Sequence, residues 1–227
     1  MLAELVFAAA IGVAAPRPYV ETIGHTTEDR PIVARAVGNR GSDRRVLVIG
    51  CIHGNECAGV RVTRRLAELR APEGSVVWLV HQLNPDGALR HVRGNARGVD
   101  LNRNFPVEWR SGSPGDLTYG GTAPLSEPES RAIRRLIVRI DPDVTIWFHQ
   151  PQKVVRGFGT SKAAARRYAR LTGMGYRTIR WPPGSATMWQ NRARGEASYG
   201  VELKPGPLTR RGANGHAAAI LAIARSR

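Results

Sequence analysis

Short apolar runs with no polar face constrain this chain more than any other feature. Arg45–Gly50 carries the uninterrupted stretch Val-Leu-Val-Ile, and Val144–Phe148 is apolar at four of its five positions. Strands of this kind have both faces to bury, so a layer must cover each side of the sheet. Three further segments read as strands: Ile32–Val37, the valine-rich Ser75–Leu83, and Ser198–Leu203. Between them lie segments with helical patterning. One runs from about Glu56 to Leu69 and stops near Pro72, and one from Ser126 to Ile140 opens on Ser-Glu-Pro-Glu. Ser161–Thr172 and Asn214–Ala224 complete the set. Strands alternating with helices predict an α/β fold, a three-layer α/β/α sandwich around a central mixed, mostly parallel twisted sheet. In such sheets ligands sit at the carboxyl ends of the strands.

The 227 residues suit one domain with a full core, expected here over 16–227. The preceding segment, residues 1–15, is nearly all apolar from Leu2 and ends in Val13-Ala14-Ala15, the small residues of a signal-peptidase site. Against export, Glu4 is the only early charge, and Pro16 would follow the cut. A secretory signal would place the protein in the cell envelope or outside, and that location is favoured over the cytoplasm. The other reading is an N-terminal helix packed on the domain. The run falls short of the roughly 20 apolar residues of a stable membrane span.

A net charge of +16 raises the question of nucleic acid. Only Lys153, Lys162 and Lys204 among the 34 basic residues are lysines, a skew that mutational bias of the coding DNA produces without a selected binding face. The arginines are scattered in pairs such as Arg44-Arg45 and Arg64-Arg65, with no long basic block. Specific nucleic-acid binding is therefore not expected, whereas general attraction to acidic polymers, cell-wall material included, is. The oligomeric state has no signature in the sequence.

The chemistry concentrates where the strands end. His53-x-x-Glu56 follows the Arg45–Gly50 strand in a turn that can aim both side chains at one point. A catalytic zinc needs about three protein ligands and an open position, and His-Glu-His is an established set. A distant second histidine is then required. His149 meets that need at the end of a hydrophobic strand, whereas His25 and His216 lie near the chain ends, His81 within a strand and His91 in a loop. One zinc ion per chain is expected, held by His53, Glu56 and His149. Cys51 and Cys57 flank this turn and read as small buried fillers ahead of a disulfide or extra metal ligands. Asn84-Pro85-Asp86-Gly87 is a turn signal, and the Gly-, Asn- and Pro-rich stretch Arg90–Leu125 is a long loop of the sort that carries function.

Four strings, in order along the chain, resemble the zinc metallocarboxypeptidase family. They are Gly50-Cys51-Ile52-His53-Gly54-Asn55-Glu56, Leu83-Asn84-Pro85-Asp86-Gly87, Gly98-Val99-Asp100-Leu101-Asn102-Arg103-Asn104-Phe105-Pro106, and Val201-Glu202-Leu203. His149-Gln150-Pro151, Pro183-Gly184-Ser185 and Tyr199 to Pro205 bring the chain nearest the compact murein peptide amidase branch, whose members cleave the γ-D-glutamyl–diaminopimelate bond. The resemblance implies a zinc-dependent hydrolase that cuts a peptide or amide bond and releases a C-terminal residue. It implies Glu202 as general base, Arg93 as the cation at the oxyanion, and Asn102 with Arg103 as the clamp on a free carboxylate of the peptide substrate. The mobile tyrosine of the digestive enzymes has no counterpart in Thr178-Ile179-Arg180-Trp181, where Trp181 either covers the site or belongs to the core.

Two alternatives differ in kind. An N-acyl amino-acid deacylase of the aspartoacylase type shares His-Gly-Asn-Glu but shows Asp-Leu-His where this chain has Trp147-Phe148-His149. A non-catalytic binding module on the same fold would be expected to lose a ligand or the base.

Overall fold

The computed structural model describes residues 19–225, so the apolar segment 1–15 lies outside the described residues. In chain order the elements are β1 (Tyr19–His25), β2 (Pro31–Gly38), β3 (Arg44–Ile49), α1 (Gly59–Ala67), β4 (Ser75–Val80) and α2 (Pro85–Arg90). After a long loop come α3 (Pro128–Ile140), β5 (Val144–His149), β6 (Val154–Gly157), α4 (Lys162–Thr172) and β7 (Gly175–Thr178). Then follow α5 (Ala186–Trp189, continuing in a wide π turn over Gln190–Arg194), β8 (Ala197–Glu202) and α6 (Arg210–Ala224).

The eight strands form one sheet in the order β1-β2-β4-β3-β5-β8-β6-β7. Its central strands β4, β3, β5 and β8 are parallel, β6 and β7 pair in parallel, and the other ladders are antiparallel. The period of two along each strand splits the core. Val46, Val48, Ile146 and Phe148 face α1, α4 and α6, while Leu47, Ile49 and Trp147 face α3 and α5. Each fully buried side chain of this size contributes roughly 1.5–3 kcal/mol. The expected three-layer sandwich is therefore present, with its apolar runs at the centre.

The differences from the sequence reading have local causes. Three strands went unread. β1 and β7 are edge strands with largely exposed residues, and β6 has four residues, so none shows an apolar run. Helix α1 starts at Gly59 rather than near Glu56, because the residues before it are committed to the His53 turn. Helix α6 starts four residues earlier than expected, where the Thr209 hydroxyl accepts a hydrogen bond from Gly212 N. The Asn84 turn is the start of α2: its side chain accepts from Gly87 N, with Pro85 in the first helical position. Cys51 and Cys57 are joined as a disulfide across the metal turn, which corrects the filler reading. Six residues apart, they face each other because the chain folds back on itself at His53.

Candidate metal centre and active site

Strand register sets half of the site. His149 and Glu202 are the last residues of β5 and β8, and they are direct partners in the parallel ladder. Both are 7% exposed. His53 lies four residues beyond β3, the other neighbour of β5, in a turn that places it at the same end of the sheet. Glycines make that turn possible. A Cβ on Gly54 would stand 2.0 Å from the Gly87 carbonyl carbon, and one on Gly87 would stand 2.4 Å from Gly94 O. Three backbones thus meet where no side chain fits. Gly54 N also donates to Arg93 O at 3.3 Å.

His53, Glu56 and His149 converge as expected. His53 Nδ1 stands 2.9 Å from Glu56 Oε2, His149 Nδ1 stands 3.2 Å from that oxygen, and the two Nδ1 atoms are 3.2 Å apart. Two imidazole lone pairs and a carboxylate oxygen this close repel unless a cation lies among them. A ligand triangle of this size suits bonds of about 2.0–2.2 Å to a zinc ion. His53 Nε2 lies 3.0 Å from Asp100 Oδ1, and a hydrogen bond to that carboxylate fixes the tautomer with Nδ1 free to ligate. Burial opposes ionisation of both carboxyls. His149 and His53 nonetheless hold Glu56 far below the usual carboxylate range, and His53, Arg93 and Arg103 do the same for Asp100. Burial would lower His53, but Asp100 and Glu56 pull it above its ordinary value, while burial keeps His149 below its own. The cluster is built to stabilise positive charge.

The long loop supplies the other half. Asp100 caps a short turn, Leu101–Arg103, by accepting from Asn102 N. Buried asparagines brace this loop. Asn104 Nδ2 donates to Gly120 O, Ala123 O and Ser126 Oγ, while its Oδ1 accepts from Glu127 N. Asn95 Oδ1 accepts from Arg97 N and Val99 N, and its Nδ2 reaches Glu127 and Glu129. Phe105 is fully buried and stacks on Trp189.

A cavity of about 290 Å³ joins the two halves, and all seven residues singled out from the sequence line it: His53, Glu56, Arg93, Asn102, Arg103, His149 and Glu202. Asn102 Oδ1 accepts from Ala186 N at 3.1 Å, which leaves its amide nitrogen to donate to a ligand. Arg103 Nη1 donates to Asn102 O at 2.7 Å and lies 4.0 Å from Asp100 Oδ2. Arg93 is already engaged: Nη1 donates to Glu56 Oε1 at 2.8 Å, and Nε and Nη2 donate to Asp100 Oδ2 at 3.0 and 2.9 Å. Trp181 is both core and cavity wall, 5% exposed. Two residues were missed. Asp100 sits inside a recognised string, but its contact with His53 spans 47 residues. Arg156 lines the cavity from β6, a strand with no sequence signal.

A sequence profile of the zinc carboxypeptidase family matches residues 15–180. The chain belongs to the zinc carboxypeptidase family. Murein peptide amidase A of Escherichia coli K12 is 32% identical over 160 residues, 63% of this chain and 64% of that protein. The chain thus matches a little under two thirds of that relative's length. The crystal structure of a murein-tripeptide amidase from Escherichia coli O157 superposes with a TM-score of 0.76 at 25% identity, covering 95% of this chain and 94% of the other. Carboxypeptidase A from Helicoverpa armigera gives 0.74 at 18% identity over 92% and 68%, a likeness of fold alone. The family match ends before Glu202, so its assignment rests on the Val-Glu-Leu string and on its place beside His149.

Proposed function

We propose that this chain is a zinc-dependent peptide amidase that releases a C-terminal residue, acting on the γ-D-glutamyl–diaminopimelate bond of murein peptides. One observation carries the hydrolytic reading: the His53–Glu56–His149 triangle and the Glu202 carboxylate sit side by side on registered strand ends, in a cavity shared with Asn102 and Arg103. The likeness to the murein peptide amidase of Escherichia coli, in sequence and in structure, supports murein peptides as the substrate class. A location in the cell envelope or outside remains our reading from the apolar run that ends in Val13-Ala14-Ala15. No helix among the described residues is long and apolar enough to cross a membrane.

The donor set fits zinc, with His53 Nδ1, His149 Nδ1 and a Glu56 oxygen as ligands. When bound, zinc supplies a Lewis acid for the scissile carbonyl and a water with a pKa near about 7. Asp100 holds His53 in its ligating tautomer. Glu202 Oε2 is buried without a hydrogen-bond partner, an unsatisfied acceptor that suits this carboxylate to take the proton of the attacking water and deliver it to the leaving nitrogen. Asn102 and Arg103 grip the free carboxylate of the leaving residue, Arg103 by a charge-assisted contact. Arg93 places its cation beside Glu56, where negative charge grows on the carbonyl oxygen.

Product analysis with L-Ala-γ-D-Glu-diaminopimelate tests this reading. Free diaminopimelate should appear, and a strong chelator should abolish its release. Purified protein should carry about one zinc. Turnover of acyl amino acids with none of γ-glutamyl peptides would instead identify a deacylase.

A further inference from the structure

Three guanidinium groups reach the cavity, and the mechanism uses two. Arg93 is committed to Glu56 and Asp100, and Arg103 belongs to the carboxylate clamp. The third, Arg156, is assigned no step in that mechanism. It pairs with Gly200 across the antiparallel β6–β8 ladder, so its side chain rises from the same face of the sheet as Gly200 and, two residues on, Glu202. Gly200 leaves room there. A Cβ at that position would meet only His149 and Trp181 carbons at 3.8 and 3.9 Å, so the floor between the metal ligand and the Trp181 wall is open.

The bonding of Arg156 is incomplete. Nη2 donates to Gln152 Oε1, Nη1 lies 3.6 Å from Glu202 Oε1, and the buried Nε has no hydrogen-bond partner. At 3.6 Å the contact with Glu202 is an ion pair without a hydrogen bond, and with Nε unpartnered the guanidinium keeps donor capacity for a ligand. Arg103 and Arg156 line the same cavity. A ligand with one carboxylate relieves one of these cations, whereas a dicarboxylate relieves both.

We propose that Arg156 binds a second carboxylate, at the far end of the leaving residue's side chain, and so selects leaving residues with an anionic terminus. This rests on reading the cavity as the place where the leaving residue is held. Diaminopimelate carries such a second carboxylate. Lysine has the same chain and amine but lacks that group, and would leave Arg156 facing its ammonium.

The test compares L-Ala-γ-D-Glu-meso-diaminopimelate with L-Ala-γ-D-Glu-L-lysine as substrates of the zinc-loaded enzyme. The wild-type ratio of kcat/KM should favour diaminopimelate by at least about tenfold, the scale of one charge-assisted contact. Arg156→Gln should bring the ratio close to one by losing rate on the diaminopimelate peptide alone. Arg156→Lys, which keeps a charge but not the two-pronged fork, should hold an intermediate ratio and carries the test if the glutamine variant does not fold. Equal losses on both peptides would make Arg156 a positioning residue for Glu202 and overturn the proposal, as would a wild-type ratio near one. If neither γ-linked peptide is cut, α-linked acyl dipeptides ending in Glu or Gln replace them. A preference for Glu that Arg156→Gln removes would then uphold Arg156 while ending the murein reading. No such preference, or no hydrolysis of any of the four, would end both.

Discussion

The two sides of the cavity are held in different ways. On one side His149 and Glu202 are fixed by the β5–β8 ladder, so backbone register alone sets their separation. On the other, Asn102 and Arg103 ride on a loop that has no ladder and is braced by Asn95, Asp100 and Asn104. The groups that move protons and hold the ion need fixed distances, which buried strand ends provide for His149 and Glu202 and the tightly packed turn after β3 provides for His53 and Glu56. The groups that recognise substrate sit where side-chain identity can change without disturbing the sheet. Asp100 belongs to both sides: it caps the clamp turn, orients His53 and anchors Arg93.

Arg156 of β6 apart, replacements on the strand side should cost turnover, and those on the loop side should cost substrate discrimination. The largest effect is expected for Glu202→Gln, which should keep zinc and bind substrate while losing roughly 10²–10⁴-fold in kcat, the usual scale of general acid–base catalysis. Near-normal turnover would remove Glu202 from the mechanism and break the comparison on its strand side. Asp100→Asn should weaken zinc affinity or activity about 10–100-fold, as loss of an outer-shell carboxylate commonly does. It should also raise KM, because the same residue caps the turn that carries Asn102. A zinc defect with unchanged KM would assign Asp100 to the metal side alone.

The clamp predicts a smaller but more specific effect. Amidating the leaving residue's carboxylate should lower kcat/KM at least about tenfold, since a charge-assisted hydrogen bond contributes roughly 1.5–3 kcal/mol. Arg103→Ala should hurt the free acid strongly and the amide little. Equal rates on the two substrates would refute the clamp.

The smallest effect concerns stability away from the cavity. Burial pushes His81 and His216 down to about 4, with Arg35 and Arg64 adding to the shift of His81. Unfolded, each would titrate near about 6.5. Between these values the unfolded chain binds the proton and the folded chain does not, so stability should fall as pH is lowered from about 6.5 to about 4. Urea midpoints across that range, on metal-free protein, measure it. A slope that persists unchanged in a His81→Asn/His216→Asn double variant would show that neither histidine contributes to it.

What could be read from the sequence follows the same division. Continuous apolar runs located β3 and β5, and with β5 the strand end that carries His149, whereas Glu202 was legible through the Val-Glu-Leu string of β8. The Asn102-Arg103 clamp was legible only as a string resembling a family, because nothing in loop composition says where a loop points. Arg156 left no trace. It reaches the cavity through the pairing of a four-residue strand with a partner some 40 positions later, and pairing of that kind is decided by the whole sheet. Asp100 was hidden for a similar reason, since its tie to His53 is long-range. The disulfide could not be told from buried thiols by a spacing of six alone.

The contact of Gly54 with Gly87 bears on how such a site could be moved between proteins. A metal turn is usually thought of as a cassette: a few residues that any strand end would accept. Here the cassette has no clearance of its own, because its backbone rests against a second turn, which in turn rests against the loop at Gly94. A designer grafting His53 to Glu56 onto another sheet would have to bring the Asn84–Gly87 turn and the start of the long loop along with it. The smallest portable unit is therefore three segments of chain, and an insertion that shifts any one of them displaces the other two.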